Sequence, residues 1–134
     1  MNLNLFSKEK DLQKIICEYL KKVYPNIIYR VDFAAGMRMS IGQAMQMKRL
    51  QCTRAYPDIF IAEPKGNYAG LFIELKRDLR CVEKKDGTMK KDNHILEQME
   101  VLKKLNEKGY KAIFTYGYTN TIARINQYLK GEMD

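Results

Sequence analysis

Two short apolar runs joined by a turn constrain the fold of this chain more than any other feature. They predict strands over residues 58–62 and 70–77, and the residues between them include a proline and a glycine. Runs of this length bounded by turn residues are typical of a β-hairpin. Polar residues lie in and next to both runs: Pro57-Asp58 opens the first, and the second reads Leu71-Phe72-Ile73-Glu74-Leu75-Lys76.

The remaining elements follow from the spacing of apolar residues. Helical spacing and cap signals predict helices over about 8–24, 40–50, 94–108 and 119–129, and alternation predicts strands over 27–33 and 110–116. The order is α-β-α-β-β-α-β-α, which favours an α/β fold with a small mixed central sheet flanked by helices. Residues 1–134 are enough for a single domain with one core. The polar segment 78–93 is read either as a mobile loop or as a small ribbon.

Composition excludes several classes of protein. Hydrophobic residues make up 46% of the chain, which excludes general disorder. No apolar run approaches the ~20 residues needed to span a bilayer, and the N-terminus lacks the pattern of a signal peptide, so we expect a cytoplasmic protein with no membrane partner. Cys17, Cys52 and Cys81 are scattered and His94 is the only histidine, which argues against a disulfide framework or a zinc site. The net charge of +8 favours a polyanionic partner.

Asp58, Glu74 and Lys76 are the candidate chemical centre. Strand side chains alternate, so Glu74 and Lys76 share a face, and closure of the hairpin would place Asp58 across from them. Two carboxylates supply the hard oxygen ligands that Mg²⁺ or Mn²⁺ prefers, and a lysine beside them can orient water or stabilise charge on a phosphate. The alternative is a hairpin with solvated ends, in which Glu74 and Lys76 form an ordinary ion pair.

Two helical residues extend this centre. Gln98 falls inside the apolar stripe of the third helix, so it either faces the site or is a hydrogen-bonded core amide. On the first helix, Glu9 points closer to the sheet than Glu18, which is expected to face solvent. Glu9 is alternatively an acidic residue of the first turn that interacts favourably with the helix dipole.

These residues resemble the PD-(D/E)xK nuclease superfamily and, more narrowly, a stand-alone VRR-NUC domain of bacterial or bacteriophage type. The resemblance covers nearly the whole chain. The matching segments are Glu9-x-x-Leu12-Gln13, Pro57-Asp58-Ile59-Phe60-Ile61, Gly70 to Arg77, Gln98, and Leu102-x-x-Leu105-x-x-x-Gly109-Tyr110-x-Ala112.

The resemblance implies a restriction-endonuclease-like core and a DNA endonuclease that depends on Mg²⁺ or Mn²⁺. It implies that Asp58, Glu74, the backbone carbonyl of Leu75 and Glu9 hold the metal, that Lys76 is the catalytic lysine, and that Gln98 is the motif glutamine. Single-domain members are similar to Holliday-junction resolvases, so a homodimer acting on branched DNA, a four-way junction above all, is expected. The chain departs from the family at Tyr56, where a glycine is usual, and in its long lysine-rich segment after Lys76.

Basic residues on both sides of the centre are candidates for phosphate contacts, with a solubilising surface as the alternative. They are Arg38, Lys48, Arg49, Arg54, Arg77, Lys84 and Lys85. No base-reading motif is evident, so recognition of DNA shape is expected. A nicking or restriction-like nuclease on linear duplex and a catalytically silent DNA-binding module on the same fold remain the alternative functions.

Overall fold

The helices and strands follow the predicted order throughout residues 9–32 and 38–134, which are the residues that the computed structural model describes; side chains are described from residue 11. The predicted mixed α/β architecture is confirmed. The elements are α1 (Glu9–Val23), β1 (Tyr29–Val31), α2 (Ile41–Leu50), β2 (Ile59–Ile61), β3 (Leu71–Lys76), α3 (Asn93–Glu107), β4 (Lys111–Tyr116) and α4 (Gly117–Leu129).

The four strands form one sheet in the order β1-β2-β3-β4. β2 is antiparallel to both β1 and β3, and β4 is parallel to β3. The predicted hairpin joins β2 to β3 through a tight turn, in which Lys65 and Tyr68 exchange backbone hydrogen bonds. Gly66 follows Lys65 with a φ of +57°, a conformation that glycine adopts without steric cost.

One face of the sheet packs against α1 and α4. The helical spacing of α1 turns Leu12, Ile16 and Leu20 toward the sheet, where all three are fully buried. They pack with the side chains of alternate strand residues and of α4, which are Ile59, Ile61, Leu71, Ile73, Leu75, Ile125 and Tyr128.

The other face of the sheet packs against α3. Phe72, Ala112 and Leu102 form its buried core, and the rings of Phe60 and Phe72 stack with their centroids 4.3 Å apart. Phe60 and Phe72 are also direct partners in the strand register. Because strand residues alternate between faces, Asp58 and Glu74 belong to this α3 face.

The extents of β1 and α4 differ most from the sequence prediction. β1 is a three-residue strand within the predicted 27–33; Asp32 continues the pairing by donating its N–H to the carbonyl of Asp58, and residue 33 lies outside the described part of the chain. α4 begins at Gly117 instead of residue 119, because the side chain of Asn120 accepts a hydrogen bond from the N–H of Tyr116.

Segment 78–93 takes the ribbon alternative. Asp78 accepts a hydrogen bond from Arg80 N–H and caps a single 3-10 turn, Leu79–Cys81, which the sequence did not predict. Glu83 then pairs with Met89 across a turn. Among the described residues, none of the helices combines the length and the apolar character needed to cross a membrane.

Candidate active site

Four polar side chains are buried together where β3 ends. The exposed fractions are 6% for Asp58, 4% for Glu74, 8% for Lys76 and 5% for Gln98. Burying charged or amide groups is unfavourable unless they are paired or hydrogen-bonded. The contacts among these four residues therefore show how their buried charges and amide are paired.

Asp58 reaches from β2 to the backbone of β3. The register pairs Ile59 with Ile73, so its continuation places Asp58 opposite Glu74. The Oδ2 atom of Asp58 accepts a hydrogen bond of 2.8 Å from the N–H of Leu75. This bond fixes the carboxylate beside Glu74, as hairpin closure predicts.

Pro57 changes what the carbonyl of Leu75 can bond to. Continued two residues beyond the paired strands, the same register brings Pro57 to the position opposite Leu75. The N–H and C=O of one strand residue point to the same neighbouring strand, so the Leu75 carbonyl faces the Pro57 position. Proline has no N–H, and this position therefore offers that carbonyl no ladder donor. The Pro-Asp pair thus caps the Leu75 amide with a carboxylate and leaves its carbonyl facing a residue that cannot donate.

Glu74 lies between Lys76 and Gln98. Its Oε1 atom accepts a hydrogen bond of 2.8 Å from Gln98 Nε2 and is 3.8 Å from Lys76 Nζ. Gln98 is therefore a buried amide that is hydrogen-bonded to Glu74. Gln98 Nε2 also lies 3.1 Å from His94 Nε2, a contact that the sequence did not predict. Gln98 Oε1 is buried and has no hydrogen-bond partner within the described residues.

Glu9 is the predicted acidic ligand on the first helix. Glu9 is the first residue of α1, but its side chain lies outside the described residues. Glu18 is exposed, as predicted. Within the side chains that are described, no group of three or more His, Cys, Asp and Glu residues is placed to hold a metal ion. The described cluster thus consists of two carboxylates, a lysine, an amide and a backbone carbonyl.

Asp32 is a further acidic residue of this face that sequence reasoning did not assign to the site. The β1–β2 register continues to Asp32 opposite Asp58, so Asp32, Asp58 and Glu74 occupy one row across three strands. The alternation of residues along β1 predicted only that Arg30 and Asp32 lie on the face opposite its apolar residues. The distance along the chain gave no sign that Asp32 neighbours Asp58, because that depends on strand register.

The predicted phosphate-contact residues lie on several elements of the chain. Arg54 makes a two-pronged ion pair with Glu97 of α3, with distances of 2.7 and 3.0 Å. This pair lowers the pKa of Glu97 through the hydrogen bonds from Arg54 and also raises the pKa of Arg54. Arg77 lies 3.7 Å from Asp78. The other five are also exposed, namely Arg38 just before α2, Lys48 and Arg49 in the last turn of α2, and Lys84 and Lys85 in the ribbon.

Comparison with known proteins identifies a matching fold. No protein-family model and no curated protein matches the sequence. Among solved structures, the chain is similar to one described as "VRR_NUC domain protein", with a TM-score of 0.62 and 25% sequence identity. The match covers 94% of this chain and 92% of that chain, so the likeness extends over almost the full length of both.

Proposed function

We propose that this chain, whose fold and motifs are those of a VRR-NUC nuclease domain, is a divalent-metal-dependent endonuclease that hydrolyses DNA phosphodiester bonds. The observation that carries the proposal is the buried convergence of Asp58, Glu74 and Lys76 where β3 ends. In a solvated hairpin end, two carboxylates and a lysine would not be left with less than a tenth of their surface exposed.

The residues present fit a hard divalent cation. Asp58, Glu74 and the Leu75 carbonyl would supply oxygen ligands, with Glu9 as the candidate fourth ligand. Two observations support this fit: Pro57 cannot donate to the Leu75 carbonyl, and the buried Gln98 Oε1 has no partner among the described residues. When bound, such a cation would neutralise developing negative charge on the phosphate and lower the pKa of water.

The chain's own residues then hold and orient the reacting groups. The Leu75 N–H restricts rotation of the Asp58 carboxylate, and Gln98 does the same for Glu74. Lys76 Nζ, held 3.8 Å from Glu74, is in reach of an attacking water or a phosphate oxygen. Because these donors are fixed before substrate arrives, little reorganisation is needed in the transition state.

The substrate class and assembly are finer parts of the same proposal. The net charge of +8 and the exposed cations around the site support contact with the DNA backbone. By resemblance to single-domain relatives, the substrate is branched DNA, a four-way junction above all, and the active form is a homodimer. Two-fold symmetry would present two such sites to opposed strands of a junction.

The test compares cleavage of four-way, flapped and linear duplex DNA with Mg²⁺, Mn²⁺ or chelator. We expect Glu74→Gln and Lys76→Met to cut at least ~100-fold more slowly than the parent, in line with the contributions of positioned catalytic groups. Glu100→Gln and Lys103→Met, which alter exposed residues of α3, are matched controls that should cut normally.

Each outcome decides a part of the proposal. Unchanged cutting by both site variants would place the chemistry elsewhere. Cutting of linear duplex alone would favour the restriction-like reading, and DNA binding without cutting under any condition would favour a silent module. Sedimentation of the protein with and without junction DNA tests the homodimer.

A further inference from the structure

A groove of about 750 Å³ adjoins the carboxylate pair. It lies between α2 and the strands β1 and β2, and Asp58 forms part of its wall. Its volume falls within the roughly 300–1,000 Å³ typical of pockets that hold one small organic group. The groove and the candidate metal site therefore share a residue, so an occupant of the groove would lie next to the reacting phosphodiester.

The walls of the groove are aromatic and apolar. Tyr56 and Phe60 line it from the strand side, and Met39 and Met47 line it from the α2 side. Tyr56 is 46% exposed, and its ring lies edge-on to Phe72 at 5.8 Å, which fixes the direction of its free face. Burial raises the pKa of the Tyr56 hydroxyl, so the ring stays uncharged at neutral pH. A fixed aromatic face and polarisable thioethers favour a flat, apolar group.

Charged and polar side chains complete the lining. The guanidinium groups of Arg30 and Arg38 are positive and exposed. Arg30 is paired in register with Phe60, so a cation lies beside the aromatic wall. Asp32 offers an acceptor for N–H donors at the edge of a base, and the amide of Gln43, whose Oε1 accepts from Ser40 N–H, offers N–H donors.

Resting on the nuclease function proposed above, we propose that this groove holds one unstacked nucleotide of the DNA next to the bond that is cut. The base packs against Tyr56 and Met47, and the flanking phosphates contact Arg30 and Arg38. A base inside an intact duplex is stacked on both faces and cannot insert between α2 and the strands, so the occupant must come from unpaired or displaced DNA. The groove thereby gives the enzyme a way to prefer branch points and other distorted sites over regular duplex.

The test measures binding instead of cutting, in a Lys76→Met background with chelator present. The probes are two duplexes of the same sequence, one fully paired and one with a single unpaired 2-aminopurine. We expect Tyr56→Ala to weaken binding of the unpaired probe roughly 5- to 150-fold, the range for loss of one base–aromatic stack, and to remove the fluorescence change of the 2-aminopurine. Binding of the paired probe should change less than about twofold, because regular duplex binds mainly through its phosphates.

Matched variants separate stacking from other effects. Tyr56→Phe keeps the aromatic ring and should bind like the parent. Met47→Ala should weaken the unpaired probe selectively, whereas Leu96→Ala, an exposed apolar residue of α3 outside the groove, should not. Because Tyr56→Ala removes a contact with Phe72, Met47→Ala carries the test if that variant unfolds.

Several results would overturn the inference. These are equal weakening of both probes by Tyr56→Ala, a Tyr56→Phe defect as large as that of alanine, no DNA binding by the parent, or a change in self-association alone. The last result would assign the groove to a second copy of the chain. Selective binding by a parent protein that never cuts DNA would support the groove and reject the nuclease proposal. Cutting that depends on Glu74 with no role for Tyr56 would do the reverse.

Discussion

The carboxylate of Asp58 accepts a hydrogen bond from the backbone N–H of Leu75, at 2.8 Å. Opposite Leu75 stands Pro57, which has no N–H of its own to offer. The Asp58 side chain therefore takes the place of a backbone acceptor for the Leu75 N–H. The Leu75 carbonyl has no N–H opposite it and can take a different partner. Asp58 consequently has a structural task as well as its proposed role as a metal ligand.

These two tasks of Asp58 can be separated by substitution. In Asp58→Asn the amide oxygen can still accept from Leu75 N–H, so we expect the free energy of unfolding to stay within about 1 kcal/mol of the parent. Asp58→Leu leaves a buried N–H unpaired and should cost about 1–3 kcal/mol. Urea denaturation measures both, and calorimetry should show divalent-cation binding lost in both. Equal destabilisation by asparagine and leucine would mean that the hydrogen bond contributes nothing.

Gln98 is expected to act by positioning Glu74. Gln98→Met is close in size but cannot donate to Glu74 Oε1, and loss of an outer partner typically lowers metal affinity or activity about 10- to 100-fold. Metal titration and single-turnover cleavage should both show the loss. His94→Ala is the control, since it removes an exposed neighbour of Gln98 and leaves the bond to Glu74 in place. A defect in His94→Ala as large as that in Gln98→Met would make the histidine the residue that matters.

The basic end of α2 should contribute to DNA affinity through phosphate contacts. Lys48 and Arg49 lie in the last turn of α2 and are exposed. If both contact phosphates, replacing both with glutamine lowers the slope of log affinity against log salt by about 1.8, or 0.9 for each contact. Fluorescence anisotropy over a salt series gives the slope, and the double substitution of Lys103 and Lys104 on α3 is the control. An unchanged slope would assign Lys48 and Arg49 to a solubilising surface.

A buried hydroxyl pair joins β4 to α4. Thr115 and Thr121 are fully buried with their Oγ1 atoms 2.8 Å apart. The single hydroxyl proton of Thr121 is donated to the carbonyl of Gly117, so the Thr115 hydroxyl donates to Thr121. Thr121→Val leaves the Thr115 hydroxyl without this partner and should destabilise the protein by about 1–3 kcal/mol. The exposed Thr119→Val should change stability by less than about 0.5 kcal/mol. Similar denaturation midpoints for the two variants would contradict the pairing.

The three cysteines should differ in reactivity. Cys52 is exposed, whereas burial raises the pKa of the Cys17 thiol above its ordinary value. The thiolate is the reactive form, so Cys17 carries less of it than an ordinary thiol at any given pH, and its labelling should be slow and still accelerate above pH 9. Labelling with a chromogenic disulfide should show a fast phase that Cys52→Ser removes. Persistence of that phase in the variant would mean that a different cysteine is the accessible one.

Local patterns predicted most of the fold and the centre of the site. The alternation in β3 placed Glu74 and Lys76 on one face. The turn before Gly70 brings β3 back beside Asp58. The helical spacing of α3 directed Gln98 inward, but its partner depends on how α3 is rotated against the sheet. Such properties follow from local period, which a single segment of sequence contains.

Features that depend on distant parts of the chain were not predicted. The neighbourhood of Asp32 and Asp58 requires the β1–β2 register, and the pairing of Arg54 with Glu97 requires the docking of α3 beside the segment that leads into β2. The 3-10 turn at Leu79–Cys81 arises from one capping bond by Asp78, which is too short a signal to separate from loop sequence.

The stacked rings of Phe60 and Phe72 bear on how far apart along the chain the two carboxylates of such a site can lie. Phe60 and Phe72 are partners in the register that places Asp58 opposite Glu74, and the turn at Gly66 closes the hairpin between the two strands. The interval between the two carboxylates along the chain is therefore a measure of hairpin length and carries no information about the metal. Lengthening that turn costs little loop-closure entropy, so a chain that keeps the aromatic pair can change the interval and retain the site.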